Sequence, residues 1–228
     1  MFKNYFTKFE LVLWSFSVVF IVLSFCMFDR ENYMTLFASF IGVTSLIFNA
    51  KGNPIGQFLM VVFSLLYGII SYTFHYYGEM ITYLGMTLPM AIFALIAWLK
   101  NPYNGNRAEV KVNSIDTKEI VCMSFGTMVI TIIFYVILAY FDTANIIPST
   151  LSVTTSFLAV YLTFRRSPYF ALAYAANDLV LIVLWVLASI CDRKYISVVV
   201  CFVVFFINDV YGFVNWQKMK QRQQTIIT

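Results

Sequence analysis

Charge is scarce in this chain. Only 26 of its 228 residues are charged, 15 basic and 11 acidic, or 11% where a globular domain carries about 25%. The few charges fall between long apolar runs and do not follow one face of amphipathic helices. A composition that is 61% hydrophobic, at a mean hydropathy of +0.81, exceeds what a water-soluble fold can cover. A soluble enzyme and a nucleic-acid-binding domain are therefore excluded as classes, and a polytopic membrane protein is expected. Metal-ligating residues are equally sparse. There is one histidine, His75, expected at the outer interface, and four cysteines, Cys26, Cys122, Cys191 and Cys201, show neither CxxC nor Cys/His spacing. Neither a zinc site nor a disulfide framework is expected, and no cofactor. No phosphate-cradling glycine loop occurs; Gly68, Gly85, Gly126 and Gly212 read as positions of close helix contact.

What is abundant is apolar length. A bilayer core of about 30 Å takes roughly 20 apolar residues per helix, and eight segments meet that length: 10–28, 33–50, 55–76, 78–100, 117–141, 145–165, 168–190 and 194–217. The runs are continuous and do not alternate, which argues against barrel strands. Asp29-Arg30-Glu31 follows the first run without a small-residue cleavage site, so that run is kept as a helix. Assigning the 15 basic residues to alternate sides puts Lys3, Lys8, Lys51, Lys100, Arg107, Lys111, Lys118, Arg165, Arg166, Lys218, Lys220 and Arg222 with the termini, a count of 12. The other side receives Arg30, Arg193 and Lys194, a count of 3. By the positive-inside rule both termini face the cytoplasm. The loop 101–116, with Pro102 and Asn104-Gly105-Asn106, reads as a cytoplasmic linker, and Glu79 falls in an outer turn.

The second to fourth spans resemble the sixth to eighth. Lys51 precedes Pro54 as Arg165-Arg166 precede Pro168, and the triplets close on Trp98 and Trp216; the offsets are 168 − 54 = 114 and 216 − 98 = 118. Four spans separate the copies, so both enter the membrane in one direction, which makes a parallel repeat about the membrane normal. The chain then divides into an N-terminal helix (1–32), a first triplet (33–100), a loop with a linking helix (101–144), a second triplet (145–217) and a basic tail (218–228). The expected fold is all-α, eight transmembrane helices in a SWEET-like 3+1+3 order with one extra helix in front.

Ionisable groups inside a span are costly and are functional candidates by default. Asp178 lies near mid-depth in the seventh span, and Asp209 in the inner third of the eighth. Trp98, Trp216, Tyr76 and Tyr77 are explained by interfacial belts. Tyr67, Tyr83, Tyr161, Tyr174 and Trp185 lie deeper. Deep aromatics with amides and a carboxylate suit a flat, ring-containing small molecule better than an ion. The expected site is thus Tyr67, Tyr83, Tyr161, Tyr174 and Trp185 as stacking or lining groups, with Asn177 and Asp178 as hydrogen-bonding groups. An intramembrane aspartyl protease using Asp178 and Asp209 is the rival from another class. Against it, Asp209 is placed several ångströms nearer the cytoplasm than Asp178, and no Gly-x-Gly-Asp occurs. A purely structural membrane subunit would leave the deep polar residues unexplained.

The motifs Lys51-Gly52-Asn53-Pro54-Ile55-Gly56-Gln57, Tyr76-Tyr77-Gly78-Glu79, Pro89, Trp98-Leu99-Lys100-Asn101-Pro102, Thr154-Thr155-Ser156-Phe157-Leu158-Ala159, Arg165-Arg166, Asn177-Asp178 and Asn208-Asp209-Val210-Tyr211-Gly212-Phe213-Val214-Asn215-Trp216 cover most of 40–217. In order and spacing the chain resembles the PnuC-type vitamin transporter family. The resemblance implies a homotrimer in the plasma membrane and facilitated diffusion of unphosphorylated nicotinamide riboside. A cytoplasmic kinase would then trap the substrate for NAD synthesis. Two departures bear on the ligand. Ala171 and Tyr174 stand where many relatives have two tryptophans, and Val160-Tyr161 where many have a glutamine after the alanine. Thiamine or another nucleoside therefore remains an alternative substrate.

Overall fold

The computed structural model describes residues 5–73, 76–143 and 145–225; Lys3 and His75 lie outside the described residues. Helix α1 (Lys8–Phe28) begins at Thr7, whose hydroxyl accepts from Glu10 N (3.2 Å) while the Glu10 carboxylate accepts from Thr7 N (2.6 Å). This reciprocal cap satisfies two amide donors that a helix start leaves open. Asn32 caps α2 (Tyr33–Ala50), and Asp116 caps α6 (Thr117–Tyr140), its Oδ1 accepting from Glu119 N at 2.7 Å. The remaining long elements are α3 (Pro54–Thr73), α7 (Ile146–Phe164), α8 (Phe170–Cys191) and α9 (Ile196–Thr225), the last preceded by a 3₁₀ turn. One span is composite: α4 (Tyr77–Thr82), a π-helical turn (Tyr83–Thr87) and α5 (Leu88–Lys100). Pro89, without an N–H, removes the helical bond to the Gly85 carbonyl and so favours a local change of winding there. Eight helices among the described residues are long and apolar enough to cross a membrane, as the sequence leads one to expect.

Two segments depart from expectation. The loop after α5 is a small hairpin, β1 (Pro102–Tyr103) paired antiparallel with β2 (Asn106–Val110). Asn104 (φ 48°) and Gly105 (φ 77°) turn it, the left-handed pair that tight hairpins require. The supposed tail is also helical, since α9 runs to Thr225. Lysine, arginine and glutamine are good helix formers, and buried Gln223 holds this end down. Its Nε2 donates to Glu109 Oε1 (2.8 Å) and Val110 O (3.1 Å), and its Oε1 accepts from Val112 N (2.8 Å). Arg222 also pairs with Glu109.

The broadest seams are α8 with α9, α2 with α3 and α7 with α8, closed by α2 against α9 and α5 against α7. Helix α1 lies on α2 and α9, and α6 packs along α7; both present mostly apolar side chains outward. Of the glycines read as close contacts, Gly68 is one: a Cβ there would lie 2.5 Å from Leu84. Gly85 and Gly126 have room, whereas Gly56 is tighter than any of these, 2.2 Å from Asn49 Oδ1.

The ends of α2 and α7 share one turn. Gly52 N and Asn53 N donate to Asn49 O and Phe48 O (2.9 and 3.0 Å), while Arg166 N and Ser167 N donate to Thr163 O and Leu162 O (both 2.9 Å), and 163 − 49 = 162 − 48 = 114. Gly52 and Arg166 both take the left-handed conformation that ends such helices (φ 66° and 57°). Each of these helix ends also receives an indole from a helix distant in sequence. Trp98 Nε1 donates to Thr163 O (2.9 Å), and Trp216 Nε1 donates to Asn49 O (2.7 Å). Both indoles are 0% exposed, with ring centroids 5.4 Å apart. They are interior braces, not the interfacial anchors that composition suggests, because a helix end offers a buried indole the acceptor it needs.

Candidate functional site

Midway along the bundle, α8 and α9 bring two acids together. Asp178 is eight residues above the start of α8, and Asp209 points into the same space from α9. Both are buried, and the carboxyl groups are within hydrogen-bonding reach of each other. This corrects the expectation that they differ in depth by several ångströms. Asp178 Oδ2 has no hydrogen-bond partner among the described residues, nor has Thr87 Oγ1 on the π-helical turn. Such buried, unpaired atoms are costly unless something polar meets them.

Asn177 is fixed from α7. Thr155 Oγ1 (2.8 Å) and Ser156 Oγ (3.0 Å) both donate to its Oδ1, which leaves Nδ2 as its donor. Tyr83, Tyr174, Asn177 and Asp178 line one cavity with Asp209, Thr87 and Ser156. Its apolar wall is Leu46, Met60, Phe63, Phe202 and Phe205. The cavity is about 30 Å³, room for ordered water but not for a nucleoside. Among the described residues, no lysine or arginine lines it.

Aromatic layers close both ends. On the side away from the hairpin, Tyr67 and Tyr83 stand 4.3 Å apart, and Trp185 Nε1 donates to Tyr67 Oη at 2.8 Å. Phe202 packs edge-on against Tyr67 (5.8 Å), and half-buried Tyr76, between two spans, covers Trp185 (4.8 Å). On the hairpin side Phe170 meets Trp216 (4.8 Å) and Trp98 (6.1 Å), and Tyr174 joins that layer to the cavity through Phe170 (6.2 Å).

Of the seven residues proposed from sequence, Tyr83, Tyr174, Asn177 and Asp178 share the cavity; Tyr83 and Tyr67 form its lid, with Trp185 bonded to Tyr67 behind it. Tyr161 does not belong. It lies toward the hairpin end, where its hydroxyl donates to Glu119 Oε1 (3.4 Å) beside the Arg165–Glu119 ion pair. Sequence reasoning left Asp209 undecided and missed Ser156, Thr87 and Phe205. The signal was periodic: Phe202, Phe205 and Asp209 recur at helical spacing on one face of α9. Glu79, expected in an exposed outer turn, is 2% exposed inside α4.

Among the described residues, eight membrane-length helices, six of which line an acid- and aromatic-walled chamber, make a membrane transport protein. A family model described as nicotinamide mononucleotide transporter matches residues 32–218, and the chain belongs to that family. It is similar to the nicotinamide riboside transporter PnuC of Neisseria mucosa, 27% identical over 201 residues that cover 86% of this chain and 76% of the relative. The fold matches the crystal structure of the vitamin B3 transporter PnuC with a TM-score of 0.83 at 23% identity, covering 96% of this chain and 94% of that one. These relatives are named as transporters, not as enzymes, and the protease reading of Asp178 and Asp209 is not favoured.

Proposed function

We propose that the protein carries nicotinamide riboside across the plasma membrane by facilitated diffusion. The observation that carries this reading is the chamber lining: aromatic rings, an oriented amide and two carboxylates, with no lysine or arginine. The pyridinium ring of nicotinamide riboside bears a fixed positive charge, which the acids attract and the rings stack upon. Its ribose hydroxyls are donors for Asp178, and its carboxamide oxygen an acceptor for Asn177 Nδ2. The mononucleotide would place a phosphate against the same carboxylates, a repulsion strengthened by low dielectric. That repulsion also supports trapping, because a substrate phosphorylated by a cytoplasmic kinase could not return through the chamber.

Nucleoside-sized ligands occupy sites of about 300 Å³ or more, so the chamber must widen. The shared turns and the crossed tryptophans support two parallel triplets, 33–100 and 145–217, joined by 101–144, that rock against each other. Opening the hairpin end separates Trp98 and Trp216 from the opposite triplet; opening the other end parts Tyr67 and Tyr83. A homotrimer is the assembly the resemblance implies.

Uptake into proteoliposomes without ATP or an ion gradient tests the reading. Radiolabelled nicotinamide riboside should enter saturably, and the mononucleotide should not. Equal rates for the two would overturn it, and saturable uptake of thiamine alone would reassign the substrate. The excess of basic residues at the hairpin end supports a cytoplasmic location for both termini. Single cysteines at exposed positions 107 and 142, in a background without the native cysteines, should label from inside and outside respectively. External labelling at 107 would invert the scheme.

A further inference from the structure

Glu79 has no part in the chamber described above, yet its setting is unlike that of a bracing residue. It is 2% exposed on α4, and Ser152 Oγ donates to its Oε1 at 3.0 Å. Its Oε2 is buried with no hydrogen-bond partner, and no lysine or arginine pairs with it among the described residues. A brace would need one oxygen; the second remains costly and unexplained.

Its position gives that oxygen a use. Glu79 and Tyr83 are four residues apart, hence one turn apart on one helix face. Ser152 and Ser156 bear the same relation on α7. The seam between these helices thus runs from Glu79 and Ser152 at the outer end to Tyr83 and Ser156 in the chamber wall. The Tyr83 hydroxyl is within electrostatic range of both Glu79 and Asp178, and the Tyr67 hydroxyl is within range of Glu79. Glu79 therefore stands one helical turn outside the aromatic lid, and the paired acids stand just inside it. The π-helical turn begins at Tyr83 itself, so a change of winding there would move the lid ring relative to Glu79.

We propose that Glu79 is a specificity-determining residue, an outer carboxylate that receives the cationic ring of the substrate before the Tyr67–Tyr83 lid admits it to the Asp178–Asp209 chamber. The inference rests on the reading of the chain as a carrier of a cationic nucleoside. Stepwise hand-over between carboxylates would keep the desolvated positive charge compensated on its way in. It would select flat cations over neutral rings of the same shape.

A charge-matched pair of probes tests this. Oxidised nicotinamide riboside is a cation, and its reduced dihydropyridine form is neutral and nearly isosteric. Glu79→Gln retains an oxygen for Ser152 and should preserve the melting temperature in detergent. It should raise the KM for the cation about tenfold, within the range of typical coupling between a ligand and one site, and leave the affinity for the reduced form, read by competition, unchanged. Ser152→Ala keeps the carboxylate and should leave the preference for the cation intact. A parallel change for both forms in Glu79→Gln, no change for either, or the same loss of preference in Ser152→Ala would overturn the proposal. If the wild-type protein carries no riboside at all, it is the transport reading that fails.

Discussion

Asp178→Asn should weaken nicotinamide riboside binding by roughly 5- to 150-fold while leaving the protein folded. The substitution keeps size and one acceptor oxygen but removes the charge and the second acceptor. One of those acceptors, Oδ2, is buried without a partner, so the empty protein gains little from it. A ribose hydroxyl or a cationic ring gains much more. The loss should therefore appear in affinity and not in melting temperature. Calorimetry of binding beside thermal unfolding in detergent separates the two; unchanged affinity with a lowered melting temperature would reassign Asp178 to structure. Asp209 lies within hydrogen-bonding reach, so Asp209→Asn should also weaken binding. The double variant should then depart from the sum of the single ones, as contacting residues do.

This pair shows what a sequence discloses and what it conceals. Eight spans were legible because apolar length against a fixed membrane thickness is a one-dimensional property. Depth was only partly so: Asp178 reads as near mid-span, whereas Asp209, expected nearer the cytoplasm, shares its cavity. Facing was not. Tyr161 is five residues past Ser156, which turns it about 140° away from the cavity face of α7 and carries it a turn further down. Tyr174, Asn177 and Asp178, at spacings of three and four, fall on one face of α8 and all line the cavity.

Partners were the other concealed quantity. Composition cannot tell an interfacial tryptophan from one that braces a distant helix end, because the difference is a carbonyl more than 60 residues away. Glu79 was read as part of a charged outer turn at the head of the fourth span, whereas it is buried within α4, which begins at Tyr77. The hairpin was legible and overlooked, since Asn104-Gly105 is a strong turn pair. One departure from the family pattern finds a physical reason. Ala171 Cβ would lie 3.5 Å from a Cβ at Gly212, so α8 and α9 approach closely there, and a tryptophan at 171 would force them apart.

The crossed braces carry the largest stability effect expected in this molecule. Trp216 is fully buried against Phe170 and Trp98, and its indole donates to the last turn of α2. Trp216→Ala should cost about 3–5 kcal/mol, the range for emptying a large aromatic site, and lower the melting temperature accordingly. Trp216→Phe keeps the six-membered ring but removes the pyrrole half with its donor to Asn49 O, a smaller loss of about 1–3 kcal/mol. The milder variant is the informative one for transport. If the indole bonds hold the hairpin end shut, Trp216→Phe and its counterpart Trp98→Phe should each shift the population toward an open hairpin end. A cysteine at Ser156, in the chamber wall and close in size to the native residue, should then react faster with a reagent confined to that side. In the wild-type background it should be slow, behind the Phe170–Trp216–Trp98 layer. Melting temperatures lowered in the alanine variant, with labelling rates at 156 unmoved in either phenylalanine variant, would make the braces structural only and place the gate elsewhere.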